Sequence, residues 1–169
     1  MNLNQISQSV LDALRNKRFE SPDPTTKIGA VLVEGDRILS KGCNTPFEEI
    51  KDIACFGLDC YKLSNRNYKI NVMEHAECNC LRNNLYTIYH STMLLITSTP
   101  CLHCAMEIVK HKVKHVGVVG FEPDFNDPKW GSLWKDALQY LTDNEVEIIF
   151  YDSEGKIVRR IEEGSIIAS

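Results

Sequence analysis

Apolar residues recur at Leu3, Ile6, Val10, Leu11 and Leu14, a three-to-four spacing that predicts one amphipathic helix over residues 3–19. Ser21-Pro22-Asp23-Pro24 stops it. The run at residues 28–33 reads as a strand, and Glu34-Gly35-Asp36-Arg37 turns it back into Ile38-Leu39-Ser40 as a hairpin. Residues 47–72 are polar and mixed, without a clean period, and read as a long connection holding one short helix; loops of that length usually carry function or move. Further on, residues 74–81 and 101–110 read as helices, the second entered through Thr99-Pro100. Strands are predicted at 92–97, 115–120 and 146–150. Trp130, Trp134, Leu138 and Leu141 share one face of the last helix, with the tryptophans as core anchors. Gly155 opens a peripheral tail, residues 155–169, with a short strand at 157–158.

Five strands with interleaved helices describe a single α/β domain over residues 1–169, a three-layer α/β/α sandwich on a five-stranded mixed sheet. The strands at 92–97 and 115–120 are joined by one helix and should run parallel with a right-handed crossover. Ligands of such sheets lie beyond strand C-termini, which is where Ser98 and Thr99 fall.

Composition narrows the setting. A chain of 169 residues with 43% hydrophobic content buries a core without staples. Seven cysteines cannot all pair, which suits a reducing compartment. Cys43, Cys55, Cys60, Cys78 and Cys80 read as free thiols, with a second, structural zinc on Cys55 and Cys60 as the weaker alternative. No stretch approaches the ~20 apolar residues of a membrane span and no apolar signal segment opens the chain, so a cytoplasmic protein is expected. A formal charge of −4 argues against a long nucleic acid as the main partner, although a small nucleotide needs only a local basic pocket. The basic clusters at Arg15 to Arg18, His111 to His115 and Arg159-Arg160 read as solvated element ends.

Two short segments carry the chemistry: His75-Ala76-Glu77, and Pro100-Cys101-Leu102-His103-Cys104. His75, Cys101 and Cys104 supply one imidazole and two thiolates, the three nitrogen and sulfur ligands of a catalytic zinc with its fourth position open. Hydrolytic removal of an amino group from an aromatic ring needs a hydroxide-strength nucleophile at neutral pH, which zinc provides by acidifying water. Glu77 is then free to move protons as general acid and base. Both ligand sets sit at predicted helix N-termini, where the macrodipole favours thiolates. Cys101-x-x-Cys104 alone is more often half of a structural zinc site or a redox pair; the upstream His-Ala-Glu points to a catalytic one.

The same segments resemble the zinc-dependent cytidine and deoxycytidylate (dCMP) deaminase family. Ser21-Pro22-Asp23-Pro24-Thr25-Thr26-Lys27-Ile28-Gly29-Ala30 is similar to that family's S-x-D-P-x-[ST]-x-[VI]-G-A, followed here by Gly42-Cys43-Asn44. His75-Ala76-Glu77-Cys78-Asn79 and Ser91-Thr92-Met93 leading to Pro100–Ala105 also match. The resemblance implies a cytidine-deaminase-like fold, a zinc hydrolase acting on a free nucleotide, and a homo-oligomer. By position, it implies that Asn44 contacts sugar or base, that the Ala76 N–H meets the ring carbonyl, and that the Ser98-Thr99 backbone accepts from the amino group. Ser21 and Lys27 are phosphate candidates, and Phe121 with Phe125 either closes over the base or packs. The family's G-Y-N-G is altered at Cys43 and Thr45, and Phe121 to Pro128 departs from it, which bears on the base and sugar. The expected reaction is dCMP to dUMP plus ammonia. Deamination of a purine or modified-base nucleotide, deamination of a base in tRNA or other nucleic acid, and non-catalytic nucleotide binding are the alternatives.

Overall fold

The computed structural model describes residues 4–46 and 72–161. The long connection, its expected helix, and Cys55 and Cys60 with their alternative zinc site lie outside the described residues. Helix α1 (Gln8–Phe19) is followed by strands β1 (Gly29–Glu34), β2 (Arg37–Cys43) and β3 (Thr45–Pro46). Then come β4 (Met73–Glu74), α2 (Ala76–Arg82), β5 (Thr92–Ile96), α3 (Leu102–Lys110), β6 (His115–Val119), α4 (Gly131–Asp143), β7 (Glu147–Tyr151) and β8 (Ile157–Ile161).

Among the described residues the main sheet has six strands in the order β2-β1-β5-β6-β7-β8, one more than the five expected. The extra strand is β8: its side chains alternate between half-buried and exposed, as on a sheet edge, so its sequence lacks a continuous apolar run. It pairs antiparallel with β7, Ile148 opposite Ile161. β5 with β6 and β6 with β7 are parallel, whereas β1 pairs antiparallel with both β2 and β5, so the sheet is mixed as expected.

Alternation along the inner strands divides the core into two layers. Ala30, Leu32, Leu94, Ile96, Val116, Val118, Ile148 and Phe150 face α2, α3 and α4, and all are buried. Val31, Val33, Met93, Leu95, Ile149 and Tyr151 face α1, against Val10, Leu11 and Leu14. Helices thus cover both faces, and the three-layer α/β/α reading holds.

Local boundaries moved for identifiable reasons. α1 starts at Gln8 because the chain just before it is held extended: Gln5 bridges Lys156, and the Ile6 N–H donates to the Gly155 carbonyl at 3.0 Å. On α4, Leu138 and Leu141 are buried, but Trp130 is 39% exposed and Trp134 half-buried. The two indoles stack on each other with centroids 6.4 Å apart, so they cap the outer surface rather than anchor the core.

The placement of α2 depends on one glycine. A Cβ at Gly42 of β2 would lie 2.3 Å from the Cys80 nitrogen and 2.5 Å from the Ala76 carbonyl oxygen. Both obstacles are backbone, so even a methyl group would force helix and strand apart. The close approach is held by Ser40, whose hydroxyl donates to the Cys80 carbonyl at 2.9 Å. Asn79 adds two bonds from its amide, to the Cys43 carbonyl at 3.0 Å and to Thr45 Oγ1 at 2.9 Å.

Candidate active site

His75 and Cys101 are both N-cap residues, extended at φ −75°, ψ 152° and φ −81°, ψ 168°, before α2 and α3 respectively. The helix expected from residue 74 therefore begins at Ala76, because Met73 and Glu74 are committed to β4, opposite Pro46 and Thr45 of β3. That short ladder delivers His75 to the site, and an Arg82 to Glu74 ion pair at 2.8 Å ties the far end of α2 back to it. Cys101 arrives from the C-terminal end of β5 through residues 97–100, beyond the parallel strands where a ligand site is expected. Cys104 and Glu77 occupy the first turns of α3 and α2.

This convergence brings the three expected donors together. His75 Nδ1 lies 3.4 Å from Cys101 Sγ and 3.3 Å from Cys104 Sγ, and all three donor atoms fall within 4.8 Å of one another. Zinc bound to sulfur at about 2.3 Å and nitrogen at about 2.0 Å in a tetrahedron sets neighbouring donors roughly 3.6 Å apart. The donor set fits zinc in both kind and spacing. Cys104 is buried, Cys101 half-buried and His75 exposed, which leaves the metal position reachable from one side.

The electrostatics of the triad follow from hydrogen bonding among its members. Hydrogen bonding to the Cys101 sulfur holds the His75 imidazole up at about 9. Hydrogen bonds from Cys104 and then His75 hold Cys101 down to about 3, so it is a thiolate. Cys104, bonded to the sulfurs of Cys101 and Cys78 and buried besides, is pushed up and keeps its proton. Metal uptake by the protonated triad therefore releases protons. Glu77 is 4% exposed, and burial raises its carboxyl above the ordinary range, although the nearby His75 opposes that shift. A carboxyl poised to hold a proton beside a donor triad suits proton transfer.

The other expected residues form a second cluster. Asn44 is 7% exposed, and its amide is fully engaged: Oδ1 accepts from the Ile28 N–H at 2.7 Å, and Nδ2 donates to the Thr26 carbonyl at 2.7 Å and Asp23 Oδ2 at 3.2 Å. Ser21 is buried and donates to the Asn44 carbonyl at 2.8 Å, and Lys27 Nζ donates to the Ser21 carbonyl. The Ser21 to Ile28 segment is thus a loop clasped by Asn44, and β3 connects the clasp directly to the ladder before His75. Thr99 is buried with a hydroxyl that meets no hydrogen-bond partner among the described residues, and Ser98 is half-buried. Phe121 is half-buried and packs edge-on against Trp134, centroids 5.3 Å apart. Ala76 is fully buried, and its N–H is one of the first-turn donors that α2 itself does not satisfy.

Sequence reasoning passed over Asp23, Ser40 and Asn79. Asp23 Oδ1 accepts from the Thr25 and Thr26 N–H groups at 2.9 and 3.0 Å, a turn signal visible in an aspartate between two prolines. Asn79, one helical turn after His75, stands out in the sequence only as a motif position. A cavity of about 430 Å³ lies on the α1 face, lined by Val10, Val33, Met93, Leu95 and Tyr151, away from the triad.

The fold and the donor set define an α/β protein with a candidate zinc site at the N-termini of α2 and α3. Residues 4–120 match the model of the cytidine and deoxycytidylate deaminase zinc-binding region, and the chain belongs to that family. Over 99 residues it is 34% identical to a probable deoxycytidylate deaminase of Caenorhabditis elegans, spanning 58% of this chain and about half, 49%, of that protein. The fold is similar to the dCMP deaminase of cyanophage S-TIM5 in its apo form, with a TM-score of 0.55 at 20% identity over 87% of this chain and 99% of that one. That phage enzyme in complex with dCMP and dUMP gives a TM-score of 0.53 over 86% and 98% of the two chains, also at 20% identity. RibD of Acinetobacter baumannii shares the fold at a TM-score of 0.51 and 20% identity, over 87% of this chain and 36% of its own.

Proposed function

We propose that this protein hydrolyses the exocyclic amino group of a free cytosine nucleotide, dCMP foremost, giving dUMP and ammonia. The observation that carries the reading is the buried Glu77 carboxyl set beside the His75, Cys101 and Cys104 triad. The choice of dCMP is supported by the names of the relatives, one a probable deoxycytidylate deaminase and one solved with dCMP and dUMP.

His75, Cys101 and Cys104 would hold zinc, which when bound supplies a water acidified to a pKa of about 7. Glu77 takes one proton from the attacking water and passes it to the ring nitrogen, then takes the second proton, from the hydroxyl now bonded to the ring carbon, and passes it to the departing amine. The Ala76 N–H orients the ring carbonyl, while the Ser98 and Thr99 backbone accepts from the amino group. The Thr99 hydroxyl, without a partner among the described residues, offers a further contact to the nucleotide. Asn44 serves this site chiefly by holding the Ser21 to Ile28 loop, with Lys27 at its edge for the phosphate. Phe121, braced by Trp134, forms a wall beside the base.

The test offers zinc-loaded protein dCMP, dCTP, CMP, deoxycytidine and purine nucleotides while ammonia is measured. Turnover is expected with dCMP above the others, and turnover of no cytosine compound would sink the proposal. A reducing, cytoplasmic setting accompanies it, supported by Cys43, Cys78, Cys80, Cys101 and Cys104 all being free thiols. Among the described residues no helix is long and apolar enough to cross a membrane. We also propose a homo-oligomer, built on the exposed apolar flank of α3 and α4 at Leu102, Met106, Trp130 and Leu133. Sedimentation of Met106→Glu should give a lighter species than the unaltered chain, and an unchanged monomeric species in both would contradict it.

A further inference from the structure

Cys78 is a thiol beside the triad that the zinc chemistry does not use. It sits in the first turn of α2, next to Glu77, and its Sγ lies 3.8 Å from Cys104 Sγ, in van der Waals contact. It is not one of the three donors gathered within 4.8 Å of each other, so metal binding does not require it. Cys78 is half-buried, within reach of a small solute, whereas Cys104 is fully buried. Among the described residues the other thiols outside the triad are unsuited: Cys80 is buried against the Ser40 hydroxyl, and Cys43 is buried at the end of β2.

We propose that Cys78 is an oxidation site that disables the metal centre reversibly, by forming a disulfide with the zinc ligand Cys104. A hydroperoxide first oxidises Cys78: its sulfur takes the terminal oxygen, giving a sulfenic acid, while the peroxide O–O bond breaks to leave an alcohol, or water from hydrogen peroxide. Cys104, which loses its proton on binding zinc, then attacks the Cys78 sulfur as a thiolate, forming the S–S bond and expelling hydroxide. The two sulfurs lose two electrons in all, and the peroxide gains them. Cys104 leaves the donor set, because the thiolate and not the disulfide sulfur is the metal ligand. Closing the gap from 3.8 Å to about 2.05 Å asks for side-chain rotation in two helical first turns that already touch. A thiol reductant reverses the step.

The inference rests on the zinc triad but not on any substrate, and its test uses no nucleotide. Zinc content of the untreated protein is measured first, which checks the triad separately. Holoprotein is then exposed to hydrogen peroxide, released zinc is followed with a chromogenic chelator, and the protein is alkylated and digested with trypsin without reduction. Cys78 falls in the peptide of residues 70–82, and Cys101 and Cys104 fall together in that of residues 83–110. The expected product is a cross-link between these two peptides, assigned to Cys78 rather than Cys80 by fragmentation, lost on adding dithiothreitol. Cys78→Ala should keep its zinc before treatment and release it about tenfold more slowly than the unaltered chain under peroxide. A bond within the 83–110 peptide instead, joining Cys101 to Cys104, would overturn the proposal. Equal zinc release by Cys78→Ala would overturn it as well. The peptide map is read on the unaltered chain, so it decides the matter even if the variant folds poorly.

Discussion

Replacing Glu77 by glutamine is expected to lower ammonia release by about 10²- to 10⁴-fold, the usual cost of removing a general acid/base. The amide matches the carboxylate in shape, so a position only 4% exposed is refilled without a cavity. Zinc content should not change, because Glu77 is outside the donor triad. Stability provides an independent check on the environment. Burial raises the Glu77 pKa in the folded chain, so the ionised form works against folding at pH values above the folded pKa, and the effect vanishes below the unfolded value. Glutamine removes that ionisation, and metal-free Glu77→Gln should melt at or above the temperature of the unaltered chain at pH 7. Near-normal turnover in the variant would refute the role of Glu77, whatever the melting temperature.

The second large effect is expected from Cys101→Ala. Cys101 is half-buried at an N-cap, and its side chain does not cap the helix, so truncation disturbs little packing. The donor set falls to one imidazole and one thiol, and zinc affinity should drop by at least ~10²-fold, read by metal analysis after dialysis. Activity should disappear with the metal. A spectroscopic signature accompanies the loss. Hydrogen bonding to the Cys101 sulfur is the main reason His75 is held up at about 9, so the imidazole of the metal-free variant should titrate nearer its ordinary value of 6.5. Undiminished zinc binding would show that the triad is wrongly assigned.

Much of this site was legible along the chain. His75, Glu77, Cys101 and Cys104 were named from two short motifs, and the structure brings the three donors together because each motif stands at a helix N-terminus. Strand positions were also legible wherever a run was apolar on both faces, as in β1, β5, β6 and β7. Only two residues of β8 are legible along the chain, since Arg159 and Arg160 break the apolar pattern on an edge where one side meets water. The tryptophans of α4 misled for a related reason. Helical spacing shows which residues share a face, but the packing partners decide how much of that face is covered.

Asn44 shows the limit most clearly. Its place in a motif pointed to nucleotide contact, yet only the folded chain shows its amide spent on Ile28, Thr26 and Asp23. Similarly, Gly42 is only a motif position in the sequence, and its structural role is visible only with the backbone of α2 against it.

The sequence by itself pointed to the candidate metal donors and to Glu77 as the proposed acid/base group, and it determined the α/β class, because these depend on residue chemistry and local periodicity. Tertiary structure alone decided the rest: the six-strand order, the clasp of Asn44 on the Ser21 to Ile28 loop, and the contact of Cys78 with Cys104. Those features join residues far apart in the chain, and their distances depend on how strands pair and helices pack, which no local pattern encodes.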